Sequence, residues 1–171
     1  PPDALAADDP VLFARVAPVA LGGPVGSEYI GLLLEQGGFQ PAQPVLPRTE
    51  RLPADFRVAI IGAGMAGMTT ALACADAGID YEIYDRNDEV GGTWYTTVYP
   101  GLGVDTPSAY YSLSRDVNGD WSSYYPQGAE YQRYLESVAD KSGLRAHTRF
   151  STEVTALRWV EESAQWEITA A

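Results

Sequence analysis

One stretch of the chain narrows its possible folds more than any other. Arg57-Val58-Ala59-Ile60-Ile61 is a short, mostly apolar run, the pattern of a strand buried in a parallel sheet. It leads directly into Gly62-Ala63-Gly64-Met65-Ala66-Gly67, which has the spacing G-x-G-x-x-G. The first glycine permits a tight turn, the second lets the backbone approach a pyrophosphate, and the third lets a helix lie close to the sheet. A helix is expected next, from Met65 to Ala77, with Met68, Leu72 and Ala75 on one face and Gly78 as its stop. Tyr81-Glu82-Ile83-Tyr84-Asp85 reads as the following strand. Strand, glycine turn, helix and strand within about thirty residues make a dinucleotide-binding β-α-β unit, and so an α/β fold with a mostly parallel sheet.

Such a unit requires an acid at the end of its second strand, about twenty residues beyond the first glycine. Asp85 lies 85 − 62 = 23 residues on. A carboxylate there accepts hydrogen bonds from ribose hydroxyls and repels a 2′-phosphate, which favours FAD or NAD over NADP. Glu82 and Asp88 are competing acids, but Glu82 alternates within the strand and Asp88 lies past it.

The rest of the chain divides at about residue 56. Residues 1–56 hold most of the prolines and read as an N-terminal arm. Its helical segments are Val11–Val16 and Glu28–Gln36, the latter stopped by Gly37, and an extended linker runs from Gln40 to Pro53. Residues 57–171 read as the dinucleotide-binding domain. Within it, Asn87 to Asp120 has no sustained period, and an irregular stretch of that length in a compact domain is usually functional or disordered. Its aromatic residues favour function. Ala129 to Asp140 returns to helix, with Tyr131, Tyr134, Leu135 and Val138 on one face. Arg149–Val160 and Trp166–Thr169 read as a C-terminal β-hairpin through Glu161-Glu162-Ser163-Ala164.

Composition serves mainly to exclude. A net charge of −12 opposes nucleic acid and anionic membrane surfaces, both of which call for clustered Lys and Arg. Val58 to Ala75 is uncharged, but its glycines at loop spacing and its two threonines argue against a membrane span. Cys74 is the only cysteine and cannot form an internal disulfide. With no basic segment ahead of an apolar N-terminal stretch, this points to a cytoplasmic protein. No metal-ligand cluster is evident, and His147 lies in a polar run before a strand.

Beyond the second strand the chain reads Asp85-Arg86-Asn87-Asp88-Glu89-Val90-Gly91-Gly92-Thr93-Trp94. Tyr99-Pro100-Gly101 follows, then Asp105-Thr106-Pro107-Ser108 and the pair Tyr110-Tyr111. From about Arg57 to Thr169 this order of motifs resembles the flavin domain of Baeyer–Villiger-type class B flavoprotein monooxygenases. The N-terminal arm is loosely similar to the extension of hydroxyacetophenone-type members. The resemblance implies FAD in this Rossmann unit. Gly62, Gly64, Ala66 and Gly67 would serve the pyrophosphate, and Asp85 the adenosine ribose. Gly92, Thr93 and Trp94 would line the pyrophosphate and flavin side, Val154 would offer its backbone to adenine, and Tyr111 would touch the cofactor. Asp105 would sit beside the isoalloxazine and act in catalysis through an arginine. Two of these have simpler readings: Trp94 as core, and Asp105 as a turn former in Asp-Thr-Pro-Ser.

The same resemblance implies an NADPH- and O2-dependent oxygenation of a small-molecule ketone to an ester or lactone. Three other functions fit less of the pattern: heteroatom oxygenation, an NAD-dependent dehydrogenase, and a non-catalytic FAD-binding piece that assembles with another chain. The sequence also departs from the family. Val98 replaces the usual basic residue before Tyr99-Pro100-Gly101, and Asp85 is one methylene shorter than the usual Glu. A second glycine fingerprint, the His- and Trp-containing signature and the arginine that faces the flavin are all missing from these 171 residues. The chain is therefore expected to be part of an enzyme, working with a missing remainder.

Overall fold

The computed structural model describes residues 10–36, 39–40 and 52–171. Backbone contacts group them into two units, one joining the N-terminal residues to Gly103–Pro126, the other joining 52–102 to Gln127–Ala171. The expected linker lies largely outside the described residues, as does Gly37.

In the first unit, helices α1 (Pro10–Leu21) and α2 (Ile30–Gln36) are joined through a 3-10 turn at Ser27–Tyr29. The α1 helix is longer than its apolar period suggested, because it runs on through Pro18. A proline there forfeits one backbone donor without ending the helix. Gly22, at φ +74°, lies just past its end, in the left-handed conformation that glycine adopts without penalty. Phe13, Ala17 and Leu34 form a small core with Val25, Ile30 and Leu33 packed against it, and the Phe39 ring meets Phe13 edge-on at 5.4 Å. In Gly103–Pro126, Val104 and Leu113 are buried, and the N–H of Val104 donates to the Pro126 carbonyl at 2.9 Å.

The second unit carries the expected β-α-β. Strand β1 (Arg57–Ile61), helix α3 (Met65–Asp76) and strand β2 (Asp80–Tyr84) follow in order. The two strands pair in parallel from Arg57 opposite Asp80 to Ile61 opposite Tyr84. Past Gly78, at φ +62°, the Ile79 N–H returns to the Cys74 carbonyl at 2.9 Å and closes the helix end. The buried face of α3 is Met68, Ala71, Leu72 and Cys74. Ala75, expected on that face, is exposed; its angle around the helix is suitable, but no described element covers it. Burial pushes the Cys74 thiol above its ordinary range, in keeping with a small core residue.

A short helix α4 (Thr93–Thr96) precedes the long α5 (Gly128–Lys141). All four positions expected to form the apolar face of α5 are buried. Leu135 has no exposed surface, so Leu135→Ala should destabilise the chain by about 2–5 kcal/mol. A urea unfolding midpoint indistinguishable from that of the parent chain would remove Leu135 from the core.

One expected strand is divided. Instead of continuing from Arg149 to Val160, Thr148–Arg149 forms β3, which pairs in parallel with β2. The chain then leaves the sheet, with Ser151 at φ +50°. Strand β4 (Val154–Val160) pairs with β5 (Gln165–Ala170) as an antiparallel hairpin through the expected turn. The polar run Ser151-Thr152-Glu153 interrupts the apolar pattern at the break, but it does not reveal which sheet each half joins.

Candidate functional site

Three chain segments of the second unit converge beyond the ends of the parallel strands: the glycine turn after β1, the segment from Asp85 to Gly92 after β2, and residues 150–153 after β3. In open α/β sheets this is where ligands bind. The segments surround an open cleft of about 390 Å³ whose lining includes Gly62, Gly64, Asp85, Gly92, Thr93 and Val154.

Backbone hydrogen bonds hold the segments together. Gly62 N–H donates to the Tyr84 carbonyl at 2.8 Å, Asp85 N–H to the Arg149 carbonyl at 3.0 Å, and Thr152 N–H to the Asp85 carbonyl at 2.8 Å. Gly91 N–H donates to the Ala63 carbonyl at 3.0 Å, joining the two glycine-rich loops directly.

The glycines have identifiable steric reasons. Gly67 is needed for packing: a Cβ there would lie 1.8 Å from the Gly62 carbonyl oxygen. Gly92 sits at φ +58°, and a Cβ on it would come 2.9 Å from the Cα of Gly64, so a side chain would push the two loops apart. At Gly62, φ is +99° and the place of a Cβ is open space. Helix α3 begins just beyond, and the N–H groups of its first turn have no acceptor within the helix.

Of the three acids weighed from the sequence, Asp85 is the one that reaches the cleft, although only 5% of its surface is exposed. Glu82 and Asp88 do not line it. The Tyr84 hydroxyl donates to Glu82 at 2.5 Å and the Arg149 guanidinium at 2.6 Å, and these partners hold the Glu82 carboxyl below its ordinary range. Asp88 accepts from the Tyr95 hydroxyl.

Among the other expected residues, Ala66, Gly67 and Trp94 lie outside the lining. Trp94 rests on the buried ring of Tyr131, with centroids 4.9 Å apart and planes at 54°. Asp105 and Tyr111 belong to the other unit. Asp105 is exposed and accepts from the Thr106 hydroxyl at 3.4 Å. Arg86, Asn87, Thr96, Thr152 and Glu153 also line the cleft, and sequence reasoning missed them. The only signal for them was adjacency to Asp85, Thr93 and Val154.

Residues 60–127 match the model of the NAD(P)-binding Rossmann-like domain family. The chain is 41% identical over 120 residues to the FAD-binding monooxygenase tazF of Aspergillus terreus, covering 68% of this chain and 21% of that protein. It is 40% identical over 120 residues to a Baeyer-Villiger monooxygenase of Streptomyces coelicolor, covering 70% and 23%. The crystal structure of OTEMO in complex with FAD and NADP superposes with a TM-score of 0.63 at 36% identity, covering 70% of this chain and 23% of that one. The chain is a homologue of the Baeyer–Villiger monooxygenases. It spans about a fifth of the length of the curated relatives it matches. The homology covers the β-α-β unit that carries the cleft. Among the described residues, no helix is long and apolar enough to cross a membrane.

Proposed function

We propose that this chain is the FAD-binding part of an NADPH- and O2-dependent flavin monooxygenase that inserts oxygen beside a ketone carbonyl. The observation that carries the proposal is the cleft itself, which joins Gly62, Gly64, Gly92 and Asp85 on one wall system. Close backbone approach, free helix N–H groups and a carboxylate are what a pyrophosphate joined to a ribose requires. The volume, about 390 Å³, suits the nucleotide end of FAD, at the lower end of the roughly 300–1,000 Å³ usual for ligand sites.

In this reading Gly62, Gly64, Ala66 and Gly67 form the pyrophosphate turn, Asp85 stands at the adenosine ribose, and the backbone of Val154 faces adenine. Gly92, Thr93 and Trp94 continue toward the flavin. Asp105 and Tyr111 are assigned to the flavin end on their motif alone, Asp105 acting through an arginine. Bound FAD would supply the redox chemistry and the activation of oxygen, while the protein binds, orients and shields. The names of the relatives support the ketone-directed branch. The rest of the enzyme would complete the site, and a lone cysteine with no internal disulfide partner in this chain fits a cytoplasmic location.

The test is retention of cofactor. The purified chain, mixed with FAD and passed through a desalting column, should emerge with the absorption of bound flavin, and excess NAD should not displace it. A colourless protein, or one that exchanges FAD for NAD, would overturn the assignment.

A further inference from the structure

The Asp85 side chain is more heavily engaged than a ribose ligand needs to be. Its Oδ2 accepts the N–H of Ala63 at 2.6 Å. Its Oδ1 accepts both the backbone N–H and the side-chain amide of Asn87, at 2.8 and 2.9 Å. Ala63 is completely buried, so water cannot replace that acceptor. The same residue's carbonyl receives Gly91 N–H at 3.0 Å. The Ala63 peptide, at the centre of the glycine turn, is thus held on one side by the acid and on the other by the second glycine loop.

We infer that Asp85 is a positioning residue, which acts on the bound nucleotide chiefly by clasping the Gly62-Ala63-Gly64 turn through the Ala63 N–H, with Asn87 fixing the carboxylate for that task. This deepens the proposed FAD site and rests on it. These bonds are made at the reach of an aspartate, so a carboxyl one methylene further out would have to shift to keep them. A buried donor that loses a charged acceptor is left unsatisfied, and the turn that presents its backbone to the phosphates then loosens.

The experiment uses the 171-residue chain, its Asp85→Ala and Asp85→Glu variants, and two readouts. The first is hydrogen exchange of the Ala63 amide without ligand. Exchange should accelerate roughly ten- to a hundredfold in both variants, whereas an unchanged rate would overturn the clasp. The second is affinity for three probes: ADP, 2′,3′-dideoxy-ADP and AMP. A clasp predicts that ADP and its dideoxy analogue weaken by the same factor, while AMP, with no second phosphate for the turn to hold, weakens less. Loss shared by ADP and AMP but sparing the dideoxy analogue would make Asp85 a ribose ligand and overturn the inference. Equal loss for all three would also overturn it, by showing general unfolding. If Asp85→Ala does not fold, Asp85→Glu, which keeps the charge, gives both readouts. Should the parent chain bind no ADP, the dinucleotide reading fails, and Ala63 exchange alone judges the clasp.

Discussion

Gly67→Ala is expected to destabilise the second unit by about 3 kcal/mol or more and to abolish flavin retention. Overpacking usually costs about 1–3 kcal/mol when side chains can adjust. Here the obstacle is backbone, because the added Cβ would lie 1.8 Å from the Gly62 carbonyl oxygen and 3.0 Å from its carbon. Relief requires α3 to move off the turn, which disturbs the bond from Gly62 N–H to the Tyr84 carbonyl and the burial of Met68 and Ala71. Against a total stability of about 5–15 kcal/mol, such a loss is large. Gly78→Ala is the appropriate control. Gly78 also has a positive φ, +62°, but no atom lies within 4 Å of an added Cβ, so only the conformational penalty of about 1–2 kcal/mol applies. Urea unfolding of both variants measures the difference. A Gly67→Ala midpoint no lower than that of Gly78→Ala would mean that α3 does not pack on the turn as described.

The second large effect is an expected absence of turnover. Given FAD, NADPH, oxygen and an aryl ketone, the 171-residue chain should yield no ester above the protein-free control. Its single glycine fingerprint is occupied by FAD in the proposed reading, so hydride from NADPH has no second dinucleotide turn to bind. The cleft is also open on one side, and oxygen transfer from a flavin depends on excluding water. Relatives about three times as long have further chain beyond these residues, to which the proposed reading assigns both tasks. Product analysis by gas chromatography decides the matter. Ester formed in proportion to NADPH consumed would show that these residues suffice, and would require a second nucleotide site among them.

Much of the second unit was legible because its signals are local. The apolar run of β1, the glycine spacing and the apolar face of α5 each depend on residues close in the chain, and each lies at the expected positions, although β1, expected to be buried, buries only Ile60. The position of Asp85 at the cleft followed from counting along one β-α-β unit. The division of Arg149–Val160 did not, because the polar run Ser151-Thr152-Glu153 does not say which sheet each half joins. The exposure of Ala75 was hidden for a related reason: helical periodicity gives a direction around the axis, not what lies there.

What the sequence by itself determined was the β-α-β frame, its glycine turn and the chemical character of the cleft, since backbone sterics and side-chain periodicity act over a few residues. What only the tertiary structure decided was how the parts bear on one another. The need for glycine at 92 comes from Gly64, 28 residues earlier in the chain, whose Cα would lie 2.9 Å from an added Cβ. The inward turn of the Asp85 carboxylate comes from the Ala63 N–H, 22 residues away. Glu153 joins the cleft because the neighbouring Thr152 N–H donates to the Asp85 carbonyl. A buried donor takes whichever acceptor the fold brings within 3 Å or so, and that choice is made by packing in space rather than by order along the chain.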